Sequence, residues 1–368
     1  MTDVAVVIPL YNGARWIGRT LASVQAQTHP PTEVIVVDDG SDDRSRALVQ
    51  ERPGVTLLRN PTQGANAARR VGYEHTTAPL VAFLDQDDVW APTHLEELVA
   101  ALRAHPTAAA AVAPTQWFRD DEGPTFSSST REVRLLDPWK RFPVGTIPTP
   151  SAVLIRRTAL DAIGGWPTQF VGTADYYVWL RLSARQPLVQ TKCVTVGYRQ
   201  HDSSHSARLR AETTGRYLAA LRAAATAALA HRPTVEPGFK ERLDLLSHLE
   251  RLVESIVAKP TSLSSAANAL EDALSTAPAT LRRSVAQQVL WFLGPAVRAN
   301  APVRGRTLAA LYDDWPAAAP TMGHELRAEA EKSWPWWVFV PLTVGRIGRG
   351  AGWVQAARVL RSRLRHWG

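Results

Sequence analysis

Short apolar runs alternate with helix-forming segments over the first 85 residues, and no other feature restricts the fold of this chain as strongly. Val4 to Ile8, "EVIVVDDGS", "VTLLRN" and "LVAFLD" each read as a strand. Between them, residues 15–27 place Trp16, Leu21 and Val24 at positions that suit a helix. Ser41 or Asp42 is placed to cap a second helix running to about residue 51, and "GANAARRVGYEH" is rich in helix formers. Strands alternating with helices of about ten residues indicate βαβ units, hence an α/β fold with a mostly parallel sheet. Residues 106–150 hold "SSST" and several prolines and read as loops with short strands. "SAVLIRRTALDAIGGW" resumes with strand then helix, "DYYVWLRLSAR" is a helix, and "LVQTKCVTVGYRQH" is extended.

Three regions follow: residues 1–207 as the α/β domain, 208–332 as a helical region, and 333–368 as a tail. The middle region is dominated by alanine, leucine and arginine, with breaks at Pro233, Pro237, Pro260 and Pro278. The tail combines Trp334, Trp336, Trp337 and Phe339 with Trp353, Ala357, Leu360, Leu364 and Trp367 at helical spacing. Arg358, Arg361 and Arg365 fall largely away from that stripe. This pattern fits a helix lying in a membrane interface, a helix packed on the α/β domain, or a docking segment.

The formal net charge of +8 over 368 residues suits an anionic partner or a solvated basic surface. No nucleic-acid recognition motif accompanies it, so no nucleic acid is expected. The single cysteine, Cys193, excludes an internal disulfide framework and a cysteine-rich zinc site. The N-terminus has no basic segment followed by a long apolar stretch, and no run of about 18 apolar residues occurs, so neither a signal peptide nor a membrane span is expected.

In an open parallel sheet, ligands bind beyond the carboxyl ends of the strands. "PLYNG", "DDGS" and "DQDD" stand at three such ends. In the last, Asp85, Asp87 and Asp88 crowd negative charge, which is costly without a cation. A cleft of this kind can hold a hard divalent ion that prefers oxygen ligands and bridges to phosphates.

"VVIPLYNGARWIGRTLASVQAQTHPPTEVIVVDDGSDD", followed by "GANAARRVG" and "FLDQDDVW", resembles the inverting family-2 glycosyltransferases over about residues 3–205. The resemblance implies a GT-A fold, Rossmann-like, with the helical region appended. It implies that Pro9 and Tyr11 line the nucleobase pocket and that Asp39 reads the base. Arg69 is expected near the nucleotide. Asp85 matches the member of the DxD motif that meets the ribose or sugar, and Asp87 the member that meets a Mg²⁺ or Mn²⁺ ion, with Asp88 as the alternative ligand. Asp175 aligns with the catalytic base, although Ala174 replaces a usual glutamate and Tyr177 a common aspartate. As a residue type, Asp175 equally suits the cap of the helix it opens. His201 matches a histidine that approaches metal or diphosphate, against a structural role for a lone histidine. Trp90, Trp166 and Trp179 are read as core packing or as sugar-stacking walls.

The expected function is inverting, metal-dependent transfer of a sugar from a nucleotide donor, UDP-sugar being the commonest, to a saccharide or lipid-linked acceptor of cell-envelope polysaccharide synthesis. The expected place is cytoplasmic, with the tail touching the inner face of the plasma membrane. Two rivals stand beside it. A nucleotidyltransferase usually carries a glycine-rich triphosphate loop, which "PLYNGARW" lacks. A non-catalytic nucleotide-sugar binder fits the departures at Ala174 and Tyr177.

Overall fold

The structure is a computed structural model that describes residues 2–119, 123–127, 132–141, 148–201, 214–232 and 239–258. The region boundaries expected at 207 and 332, and the tail 333–368, lie outside the described residues. The chain divides into two compact units, Met1–Leu209 with Ala219–Leu243, and Arg210–Leu218 with Asp244–Gly368. Helices Thr214–Leu229 and Phe239–Ala258 are the described elements beyond residue 201. No helix among the described residues is long and apolar enough to cross a membrane.

The first unit opens with β1 (Val4–Leu10), α1 (Ile17–Gln25), β2 (Glu33–Asp38), α2 (Ser45–Gln50), β3 (Thr56–Arg59), α3 (Ala65–Glu74) and β4 (Leu80–Phe83). It continues with β5 (Val89–Trp90), α4 (His94–Ala104), β6 (Ala110–Val112), β7 (Thr115–Phe118), β8 (Val133–Leu136) and α5 (Pro138–Arg141). After a 3₁₀ turn at Pro150–Ala152 come β9 (Val153–Arg156), α6 (Arg157–Asp161), α7 (Ala174–Ser183), β10 (Leu188–Thr191) and β11 (Val196–Arg199). Eight strands form one sheet in the order β3-β2-β1-β4-β9-β6-β10-β8, and β5-β11-β7 form a second.

The first four strands pair in parallel, as the strand–helix alternation predicts. The sheet then becomes mixed, because β9 runs antiparallel to both β4 and β6, and β8 antiparallel to β10. Every residue of β1 is buried, the consequence of neighbours on both edges and helices on its faces. Ile17, Leu21 and Val24 turn the apolar stripe of α1 inward. The helix expected to be capped by Ser41 or Asp42 begins later, at Ser45. Ser41 Oγ instead accepts from the amide of Asn12 (3.0 Å), and Asn12 Oδ1 accepts from the amide of Asp42 (2.9 Å). Both residues are therefore spent on fastening the loop after β1.

Helix α3 lies directly on β1. A Cβ placed on Gly72 would stand 2.3 Å from Val7 Cγ1 and 3.1 Å from Val37 Cγ2. Gly72→Ala is expected to lower unfolding free energy by about 1–2 kcal/mol, an overpacking penalty reduced by alanine's better helix propensity. Urea denaturation measures it.

Candidate active site

The sheet order reverses direction between β1 and β4, so the carboxyl ends of these strands border the crevice where α/β proteins bind ligands. The loops leaving the two strands are sewn together. The amide of Tyr11 donates to Gln86 Oε1 (2.8 Å), and Gln86 Nε2 donates to the Tyr11 carbonyl (2.9 Å). A Cβ on Gly13 would meet Gln86 Oε1 at 2.5 Å, so glycine is required for this approach. Thr20 Oγ1, in α1, bonds the carbonyls of Gln86 (2.7 Å) and Asp88 (2.8 Å) from below. Pro9 is buried within β1, whereas Tyr11 is half-exposed at the strand end. Beside them, the amide of Asp39 donates to the Leu10 carbonyl (2.7 Å). The Asp39 carboxylate accepts from Asn60 Nδ2 (2.6 Å) and from the amide of Gly64 (2.9 Å), the residue that precedes α3.

Helix α3 brings Arg69 to the same end of the sheet, where its guanidinium pairs with Asp85. Arg69 also lies over the ring of Trp166, 5.4 Å from its centre, and its buried Nε has no hydrogen-bond partner. A buried guanidinium with a donor unspent is a fitting neighbour for an anionic ligand. Asp175 stands near this pair. Burial pushes its carboxyl up to about 6; the amide of Tyr176 and the charge of Arg69 oppose the rise, and the charge of Asp85 adds to it. Its side chain nevertheless keeps some solvent contact. The helix begins one residue before Asp175, with Thr173 at the cap position. Asp175 is therefore a first-turn residue and not the cap, and its Oδ1 accepts from the amide of Tyr176 (2.9 Å).

The aspartates of "DQDD" have separate surroundings. Asp87 Oδ2 lies 2.8 Å from His201 Nε2, and both side chains retain partial exposure. The ring of Trp16 lies against His201 with centres 4.0 Å apart. Asp88 turns inward and is 1% exposed. Its Oδ2 accepts from Ser151 Oγ (2.6 Å) and its Oδ1 from the amide of Arg199 (3.0 Å). Burial, then the charges of Asp87 and Asp85, holds this carboxyl well above the usual carboxylate range. Both Asp88 oxygens are committed inside the protein, which leaves Asp87 as the outward-facing neighbour.

Residues 5–164 match the family described as Glycosyl transferase family 2. A 103-residue stretch, 26% of this chain, is 42% identical to the succinoglycan biosynthesis protein ExoW of Rhizobium meliloti, covering 32% of that protein. A 96-residue stretch, 25% of this chain, is 35% identical to the Escherichia coli protein described as UDP-Glc:alpha-D-GlcNAc-diphosphoundecaprenol beta-1,3-glucosyltransferase WfgD, covering 38% of it. The chain thus spans about a third of the length of these curated relatives. The crystal structure of S. aureus TarS 1-349 in complex with UDP-GlcNAc superposes with a TM-score of 0.58 at 15% identity, over 90% of this chain and 93% of that one. A glycosyl transferase family 2 domain thus spans residues 5–164 of the chain. The α/β domain has the GT-A fold.

A divalent ion fits Asp87 and His201 by donor chemistry, one carboxylate and one imidazole that already face each other. Among the described residues no group of three His, Cys, Asp or Glu could hold a metal. The pair therefore suits an ion that draws its remaining ligands from phosphate and water.

Four residues of the arrangement escape a reading of the sequence. Gln86 is hidden between two aspartates, and nothing in the sequence singles out Thr20, Ser151 or Arg199 from their neighbours. Ser151 ties three residues together: its Oγ donates to Asp88 and accepts from the amide of Asp85 (3.1 Å), and its carbonyl accepts from Trp90 Nε1 (2.7 Å). Trp90, Trp166 and Trp179 are 2%, 0% and 0% exposed, so they pack the core and are not sugar-stacking walls. Ser151→Ala strands a buried carboxyl and a buried amide and is expected to cost about 1–3 kcal/mol of stability. Ser151→Thr, which keeps the hydroxyl, is expected to recover part of that loss in the same urea titration.

Proposed function

We propose that this protein is an inverting, metal-assisted hexosyltransferase that moves a sugar from a nucleoside diphosphate, in first place UDP, to a saccharide or lipid-linked acceptor. The observation that carries the reading is Asp175, a carboxyl raised to about 6 beside the Arg69–Asp85 pair at the carboxyl end of the sheet. A carboxylate poised near neutral pH is suited to general-base work. It takes the proton of an acceptor hydroxyl as that oxygen bonds to the anomeric carbon. The bond from that carbon to the diphosphate oxygen breaks, and the nucleoside diphosphate departs with the electron pair. Pro9, Tyr11 and Asp39 border the nucleobase, and Arg69 lends its positive charge to the anionic donor substrate. Asp85 faces the ribose or the transferred sugar.

Asp87 and His201 would hold the Mg²⁺ or Mn²⁺ ion. When bound, it neutralises negative charge on the departing diphosphate. The UDP donor class draws support from the UDP-GlcNAc complex of TarS, and the lipid-linked acceptor from the diphosphoundecaprenol acceptor in the name of WfgD. Synthesis of cell-envelope polysaccharide on the cytoplasmic side of the membrane, with contact through the tail, is the setting that goes with such an acceptor.

Calorimetric titration with UDP, TDP and GDP, with and without Mn²⁺, tests the donor half. One diphosphate is expected to bind in a metal-dependent way, and Asp87→Ala to abolish the dependence; failure of all three to bind sinks the reading. Transfer from the corresponding nucleotide sugar tests the catalytic half. Asp175→Asn is expected to reduce turnover by roughly a thousandfold or more, at the level of losing a general base, while nucleotide affinity is retained. The wild-type rate is expected to fall about tenfold per pH unit below about pH 6, because protonated Asp175 cannot accept a proton. A rate independent of pH from 5 to 8 would remove Asp175 from that role.

A further inference from the structure

Six tryptophans lie among the described residues. Trp16, Trp90, Trp139, Trp166 and Trp179 are buried, at most 7% exposed, and Trp117 is 51% exposed. A half-exposed indole is the informative exception, because large apolar rings are otherwise withdrawn from water. Trp117 sits on β7, the edge strand of the small sheet, and its register partner on β11 is Tyr198. The two rings have centres 6.0 Å apart and planes at 42°. The next pair along the same strands, Phe118 and Arg199, is buried, with the guanidinium 4.5 Å over the phenyl ring. Alternation along a strand sends successive pairs to opposite faces, so Trp117 and Tyr198 share the face of Val196 and its partner Trp90. The indole of Trp90 on that face bonds Ser151, the anchor of Asp85 and Asp88. Tyr198 precedes His201 by three residues, so their Cα atoms are at most about 10 Å apart. That span is on the scale of a short oligosaccharide.

We propose that Trp117 and Tyr198 form a stacking platform for a pyranose ring of the acceptor saccharide, a subsite next to the donor crevice; this rests on the glycosyltransferase reading above. The C–H face of a pyranose carries slight positive charge and meets the negative face of an aromatic ring, while its equatorial hydroxyls stay at the rim. Thr115, two residues before Trp117 on the same face of β7, gives that rim a hydroxyl. The platform binds sugar already present in the acceptor and leaves the donor crevice untouched.

The test is capture of the whole protein on an array of immobilised oligosaccharides, in the presence of Mn²⁺ and UDP, TDP and GDP, beside calorimetry with the same nucleotides. Wild type is expected to be captured by at least one glycan class. Trp117→Ala and Tyr198→Ala are expected to weaken that capture roughly tenfold, and Trp117→Phe to keep most of it. Nucleotide affinity is expected to stay the same in all variants. Equal capture of Trp117→Ala and wild type overturns the platform, as does a wild type that binds nucleotide but no glycan. Self-association of the wild type that disappears in Trp117→Ala also overturns it, by showing the rings to be a contact between copies. A wild type that binds no nucleotide removes the glycosyltransferase reading, and the platform with it.

Discussion

The arrangement at the carboxyl end of the sheet depends on one buried carboxyl group, Asp88. Burial and its two aspartate neighbours hold it well above the usual carboxylate range. In the protonated state it no longer adds a third charge to the loop. It becomes a hydrogen-bonding joint between three segments distant in sequence: the loop after β4, the 3₁₀ turn at Ser151 and strand β11 at Arg199. Arg199 closes the joint from the other side, its Nε donating to the carbonyl of Asp87 (2.8 Å). A buried polar group is stabilising only when it is partnered, and each oxygen of this one accepts a hydrogen bond. The direction of Asp87 is thus fixed by the residue that follows it.

Electrostatics then sorts the remaining carboxylates by partner. Asp85 meets a permanent cation in Arg69, and Asp87 meets a histidine whose charge depends on protonation. Asp175 has neither as a direct partner, and desolvation dominates its behaviour. Three acids within one region thereby have three different surroundings, a permanent cation, a histidine and a desolvated pocket.

The sequence made the parallel half of the sheet legible because its strands are short, apolar and separated by turn residues, so local pattern and global fold agree. The departures have local causes. Ser41 and Asp42 look like helix caps, but Asn12, brought in by β1, takes their hydrogen bonds first. Trp90, Trp166 and Trp179 cannot be told from surface aromatics by type alone, since burial is decided by neighbours far along the chain. Ser151 and Arg199 illustrate the same limit in polar form. Each matters through a contact more than 60 residues away, Ser151 to Asp88 across 63 residues and Arg199 to Asp88 across 111. Spacing within a motif carries no trace of such a contact. Among the candidate residues, Asp39, Asp85 and Asp87 stand out in the sequence because they follow strand ends, whereas Asp175 is reached only through the resemblance.

Strand β11 shows how one short element can serve two neighbouring places at once. Side chains alternate along it, and the register with β7 pairs Arg199 with Phe118 and Tyr198 with Trp117. The inward pair is spent on holding the loop of Asp87, and the strand then delivers His201 to Asp87 itself. The outward pair presents aromatic surface. A one-residue slip of this strand would exchange the two sets, exposing a guanidinium that the Asp87 loop needs and burying the rings. The backbone bond from Arg199 to Asp88 resists such a slip, because a shifted register would leave the Asp88 carboxyl one partner short in the interior. The buried acid that aims Asp87 therefore also keeps Trp117 and Tyr198 on the face of the small sheet opposite Arg199, and binding of donor and of acceptor saccharide would be anchored at the same joint.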